Sequence, residues 1–150
     1  MEIYRICLAK WAEKLGASGN SARWNSKGRF MIYTASSRAL ACLKNVVHRS
    51  GAGLTQLFKV QVIEASDTVG VTEITSDALS ADWAAYDSYP ETQALGDRWL
   101  DSQASVLLRV PSAIIPNEFN YLLNPSHPDF QQIRLARVED FVFDLRINGE

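Results

Sequence analysis

The sequence predicts a mixed α+β fold. Three observations lead there. Short β-type runs outnumber helical ones. The helical runs lie scattered between strands instead of following each strand in turn, as a doubly wound sheet would require. The length, 150 residues, is that of one domain and leaves no room for two full ones.

The elements read in order as follows. Ile3 to Leu8 is a strand, with Ile3 and Cys7 on one side and Tyr4, Ile6 and Leu8 on the other. Ala9 to Leu15 is helical or irregular. Gly16 to Gly28 is a polar loop holding the run Arg23-Trp24-Asn25. Phe30 to Thr34, aromatic and β-branched, is a strand. Ser36 or Ser37 caps a helix reaching Arg49, because Ala39, Leu40, Cys42, Leu43, Val46 and Val47 fall on one face at 3.6 residues per turn; Gly51 and Gly53 then end it.

Leu57 to Ile63 is a strand and Val69 to Ile74 a weaker one. Asp77 to Trp83 forms a helical turn, and Thr92 to Ser102 a helix with Leu95 and Trp99 on its apolar stripe. Ser105 to Val110 is a strand stopped or placed at an edge by Pro111. Ala113 to Ile115 is a further apolar run. Asn120 to Asn124, followed by Pro125 and Pro128, reads as a turn-rich connection. Ile133 to Val138 and Phe141 to Leu145 close the chain as two strands.

Composition narrows the function. The hydrophobic fraction is 47% and the charged fraction 21%, values of a globular chain and not of a disordered one. The net charge is −2, against a nucleic-acid-coating protein. No run approaches the roughly 18 apolar residues of a membrane span. Glu2, Arg5 and Lys10 interrupt any signal-peptide core, so the expected compartment is the cytoplasm. Cys7 and Cys42 form no C-x-x-C pair and are expected as thiols.

Few residues stand out chemically. Ala22-Arg23-Trp24-Asn25 places a guanidinium, a large ring and an amide side by side. Arginine can grip a phosphate through two parallel hydrogen bonds and tryptophan can stack on a base. Residue types alone favour the plainer reading, with Trp24 a core plug and Arg23 a surface charge. Arg5, inside an apolar strand, faces solvent or a ligand. Ser112, at a strand end, suits a ligand hydrogen bond, but no G-x-S-x-G elbow surrounds it. His48 sits near a helix C-terminus, where a cation is favourable, and His127 lies in a turn. The His and Cys spacing gives no metal site, and the glycines make neither a Rossmann nor a Walker loop.

Taken in order, these segments resemble a RES domain, a family named for an Arg, a Glu and a Ser. The resemblance is carried by Tyr4-Arg5-Ile6, Arg23-Trp24-Asn25 with Gly28, Ile32-Tyr33-Thr34, Arg38-Ala39-Leu40-Ala41 and Val46-Val47-His48. It continues through Asp82-Trp83, Gly96-Asp97-Arg98-Trp99, Arg109-Val110-Pro111-Ser112, Asn120 to Pro125, and His127-Pro128. It covers nearly the whole chain, taken as one domain, 1–150. It implies an ADP-ribosyltransferase-like fold, small central mixed β-sheets flanked by helices around a cleft for NAD. It implies a toxin of a bacterial toxin–antitoxin pair, with NAD as substrate and no metal. The implied partner is an antitoxin with an Xre-like helix-turn-helix domain that covers the site; a homodimer stays open, with no direct nucleic-acid or membrane partner.

By the same resemblance Arg23 and Ser112 supply the Arg and the Ser, and Arg5 and Tyr33 line the cleft. Arg5, Arg23, Tyr33 and Ser112 would hold NAD, with Ser112 and Tyr33 also in the catalytic set. The Glu should stand before Val-Val-His, where this chain has Leu43-Lys44. An ADP-ribosyl-type reaction passes through an oxocarbenium-like sugar, which a carboxylate stabilises and an ammonium opposes. Unit charges about 4 Å apart exchange roughly 4 kcal/mol at an effective dielectric of about 20, and the swap reverses the sign. Lys44 is therefore read as impairing the enzyme, through engineering or natural loss, unless the helix turns it to solvent from the flank of the apolar face. The alternative function is a non-catalytic module that engages an antitoxin or a nucleotide.

Overall fold

Alternating apolar residues build the centre of the molecule. The computed structural model describes residues 1–48 and 57–148. Seven strands, β1 (Glu2–Leu8), β2 (Ile32–Ala35), β3 (Phe58–Ala65), β4 (Val71–Glu73), β5 (Leu107–Pro111), β6 (Phe119–Leu123) and β7 (Ile133–Phe141), form one sheet in the order β4-β5-β6-β2-β1-β3-β7. All neighbours are antiparallel except β4 and β5, which run parallel. Two helices, α1 (Arg38–His48) and α2 (Tyr89–Ser102), complete the expected α+β architecture.

Strand alternation sorts the core by face. Ile6, Ala35, Val60 and Val62 pack under Leu40 and Ala41 of α1. Leu108, Val110 and Leu122 pack under Trp99 and Leu100 of α2 and under Trp24. The intervening strand positions, Ile3, Ile32, Ile63, Leu107 and Leu123, form the opposite face, covered in part by Leu15 and Ala17. The strand ladder is uneven. β1 pairs with β3 along its whole length, but meets β2 only at Tyr4 opposite Ala35. This seam separates the α1 half of the sheet from the α2 half.

Local chemistry explains the helix ends. The Ser37 hydroxyl accepts from the Leu40 amide at 3.1 Å and caps α1 as expected. Gly51 and Gly53, expected to end it, lie outside the described residues. α2 begins three residues earlier than expected, at Tyr89, with Pro90 in its first turn, where a missing amide costs nothing. It ends at Gln103 in a left-handed conformation, φ 53°.

Two expectations fail at the C-terminal end. Asn120 to Asn124 is not a turn-rich connection: Phe119–Leu123 is β6, paired on both sides, and Leu122 and Leu123 are buried. Phe141 to Leu145 is not a separate strand. β7 runs unbroken to Phe141, and a 3-10 turn covers Leu145–Asn148. Phe143 instead turns inward, edge-on to Phe58 at 5.1 Å and Phe141 at 4.8 Å. The expected turn at Asp77 to Trp83 is a short 3-10 helix at Ser76–Ala78. Cys7 and Cys42 are both half-buried thiols. No described helix is long and apolar enough to cross a membrane.

Candidate active site

Beside the seam lies a cavity of about 420 Å³. Its lining comes from elements far apart in sequence: Arg23 and Trp24 from the 16–31 loop, Tyr33 from β2, Lys44 and His48 from α1, Tyr89 from α2, and Pro111, Ser112 and Asn120 around the β5–β6 connection. None of the lining residues is acidic.

The loop carrying Arg23 is held from several directions. The Asn25 amide donates to the Asn20, Ser26 and Arg29 carbonyls at 2.9, 3.2 and 3.0 Å. Thr92 and Gln93 of α2 donate to the Arg23 and Ala22 carbonyls at 2.5 and 2.8 Å. Asp97 accepts from the Ser26 amide and hydroxyl at 3.1 and 2.5 Å. α2 approaches so closely at Gly96 that a Cβ there would fall 1.7 Å from the Trp24 carbonyl oxygen. Only glycine allows this packing. Trp24 is 2% exposed and fills the space beneath the loop, so it is the core plug of the plainer reading and offers no free stacking face.

Arg23 departs from that reading. It is no surface charge: its Nη1 donates to the Trp83 carbonyl at 3.2 Å, and its guanidinium lies 5.7 Å from the Trp83 ring and 4.7 Å from the Tyr89 ring. The two rings and the Trp83 carbonyl position the guanidinium, whose other N–H groups are left to a ligand.

Tyr33 is clamped at its hydroxyl, which donates to the Asn25 side chain at 2.5 Å and accepts from the Trp24 amide at 3.1 Å. Burial pushes its pKa well up, so it remains a neutral phenol. Ser112 is 7% exposed, and its hydroxyl oxygen accepts from the Ile114 and Ile115 amides at 3.1 and 3.2 Å. The hydroxyl proton is left to donate into the cavity.

Lys44 projects into the cavity with its Nζ 5.7 Å from the Tyr33 ring centre, and no carboxylate pairs with it among the described residues. This removes the expectation of a lysine solvated on the helix flank. Burial, then the Arg5 charge, lowers its pKa to about 8. Arg5 itself is a correction: it does not line the cavity. Its place on β1 opposite Gln61 turns it toward the chain segment after β1, where it donates to the Gly16 carbonyl at 2.9 Å. A strand position alone could not distinguish this carbonyl from a ligand.

The family can now be tested against the fold and the cavity together. The RES domain family matches residues 2–144. The chain belongs to the RES domain family.

Curated relatives match over most of the chain. A "Toxin Res" of Pseudomonas putida is 38% identical over 152 residues, covering 98% of this chain and 99% of that protein. A "Prs ADP-ribosylating toxin" of a Sphingobium species is 37% identical over 134 residues, covering 88% of this chain and 83% of that one. Among solved structures, the Mycobacterium tuberculosis MbcT–MbcA toxin–antitoxin complex contains a chain with the same fold, at a TM-score of 0.77 and 19% identity, covering 94% of this chain and 84% of that one.

Three cavity residues of this RES domain escaped the sequence reading. His48 was given no site role, being read as a helix-end cation and as part of the Val46-Val47-His48 resemblance; burial and the charges of Lys44 and Arg23 lower its pKa and keep it neutral at pH 7. Tyr89 was hidden before Pro90, at a helix start placed too late. Asn120, 8% exposed, was lost with the missed strand β6, and its Oδ1 is buried without a hydrogen-bond partner. A buried amide without a partner is uncommon and suits a ligand-facing position. Among the described residues no cluster of His, Cys, Asp or Glu could hold a metal ion.

Proposed function

We propose that this chain is the toxin of a bacterial toxin–antitoxin pair, that its substrate is NAD, and that Lys44 impairs its turnover. The observation that carries the substrate is the acid-free cavity, which brings together Arg23, Tyr33, Lys44 and Ser112 with the partnerless amide of Asn120. Cations without a countercharge suit the pyrophosphate of a dinucleotide, and the oriented Arg23 fork suits two of its oxygens. Ser112 donates to a sugar or phosphate oxygen, and Tyr33 walls the site as a neutral ring. The names of the Sphingobium and Pseudomonas relatives support the toxin and the ADP-ribosyl chemistry.

In this reading the bond broken joins nicotinamide to ribose, leaving positive charge on the sugar. Lys44 stands where the family resemblance calls for Glu. A protonated amine beside that sugar opposes the charge, and a carboxylate would stabilise it. Arg5, outside the cavity lining, bears on the site through its charge, which lowers the pKa of Lys44. An antitoxin, of the Xre-like helix-turn-helix kind, covers the cavity mouth. A second reading, a non-catalytic module that binds nucleotide or antitoxin, is favoured by the same absence of a carboxylate.

The test incubates the unsubstituted chain, Lys44→Glu and Lys44→Gln with NAD, with and without phosphate, and identifies the products. We expect Lys44→Glu to consume NAD at least a hundredfold faster than the starting chain, and Lys44→Gln to gain much less. A folded Lys44→Glu chain that binds NAD and leaves it intact overturns the enzymatic reading in favour of the binding module.

A further inference from the structure

The cavity, about 420 Å³, lies toward the small end of ligand sites, which run from about 300 to 1,000 Å³. A dinucleotide carries two bases, two sugars and two phosphates, so part of it must lie outside. Next to the mouth stands an exposed aromatic step. Tyr86 is 79% exposed, and its ring centre lies 4.8 Å from that of Tyr89, which lines the cavity. Tyr89 in turn lies under the Arg23 guanidinium at 4.7 Å. Of the exposed aromatic rings among the described residues, Trp11, Phe30 and Tyr86, only Tyr86 has a ring contact with a cavity-lining ring, tilted at 41° to Tyr89.

A tyrosine left this open covers no core. Its backbone already sits in a 3-10 turn, Tyr86–Ser88, whose geometry does not depend on the ring. Leaving such a ring in water forgoes burial that a stacked base would recover.

We propose that Tyr86, braced by Tyr89, is the stacking platform for the nucleobase at the outer end of the ligand, the end away from the cavity. This rests on the proposed NAD site. The Arg23 guanidinium, against the other partner of this ring pair and in the cavity lining, is within reach of the pyrophosphate of a ligand bridging the platform and the cavity. Stacking recognises any π-face, so the platform provides affinity for a dinucleotide over a mononucleotide without choosing strongly among bases.

The test is calorimetry on the whole chain and on Tyr86→Ala and Tyr86→Trp, with two probes: NAD, checked intact afterwards, and nicotinamide mononucleotide, which lacks the adenosine half. Tyr86→Ala is expected to weaken NAD roughly five- to tenfold and leave the mononucleotide unchanged, and Tyr86→Trp to hold NAD at least as tightly as tyrosine. Unchanged NAD affinity in Tyr86→Ala overturns the platform, as does an equal loss for both probes, which would mean that Tyr86 only shapes the cavity. If the unsubstituted chain binds neither probe, the NAD reading itself falls, an outcome separate from these.

Discussion

On one side of the cavity Arg23 sits in a loop tied down by side chains of Asn25, Thr92, Gln93 and Asp97. On the other, Lys44 and His48 project from a helix held mainly by apolar packing of Leu40 and Ala41 on the sheet. The loop wall derives its shape from a hydrogen-bond network in which each member satisfies a buried group. The helix wall derives its shape from a face of α1 that does not include the residues in the cavity. Substitutions in the loop wall should therefore damage geometry first and chemistry only as a consequence. Substitutions at Lys44 should change charge while the fold stays intact.

The sharpest way to break this contrast is Gly96→Ala. Its Cβ has no room beside the Trp24 carbonyl, and both partners are backbone. We expect a loss of about 3 kcal/mol or more despite alanine's better helix propensity, together with loss of NAD binding, measured by denaturant unfolding and calorimetry. A near-neutral result would mean that the loop moves freely over α2 and that the rigid-wall description is wrong.

Asn25→Ala comes next. It takes the side-chain donor from the Asn20 and Arg29 carbonyls, while the Ser26 carbonyl keeps the Arg29 amide, removes the acceptor of the Tyr33 hydroxyl, and should cost about 2–3 kcal/mol. NAD binding should weaken with it, since Arg23 is two residues away. Retained stability with lost binding would shift Asn25 from scaffold to ligand contact.

The smallest effect sharpens the other wall. The Lys44 amine titrates near 8 when folded, against an ordinary 10.5. Below pH 8 the amine is charged in both states and the folded chain bears the full cost of desolvating it. Between about 8 and 10.5 the unfolded chain binds more protons, so stability rises with pH, and above 10.5 the cost is gone. Lys44→Met should therefore be more stable than the starting chain by about 1–2 kcal/mol at pH 7, after discounting for water in the cavity, with the gap closing by about pH 10.5. Urea unfolding of the pair across this range decides it; a constant gap would show that packing, not charge, separates them.

The sequence was most legible where one periodicity dominated. Alternation marked β1 and β3, and the 3.6-residue stripe marked α1 with its Ser37 cap. It was least legible where local and long-range signals conflict. Asn120, Asn124 and two following prolines read as a turn, yet pairing on both sides by β2 and β5 imposes a strand. Phe141 and Phe143 alternate like a strand, but Phe143 turns into the core instead of pairing. The site divides in the same way. Arg23, Tyr33, Lys44 and Ser112 could be named from motif resemblance, and all four line the cavity. Arg5 could not be placed, because a strand position gives the face of the sheet but not what covers it. Tyr89 carries no local mark, and Asn120 was marked only as the start of a resembling segment without a role; β6 pairing and the start of α2 bring them to the cavity.

The strand order also sets a schedule. β2 is complete by residue 35, but its partner β6 begins only at Phe119, and β3 waits for β7 at Ile133. These are long loops to close, and pairings of high sequence separation form slowly. On a ribosome, which adds residues from the N-terminus, Arg23 and Lys44 emerge long before Ser112 and Asn120 can join them. The cavity thus cannot close before β6 has emerged, and any ligand or partner that recognises it must wait for that strand.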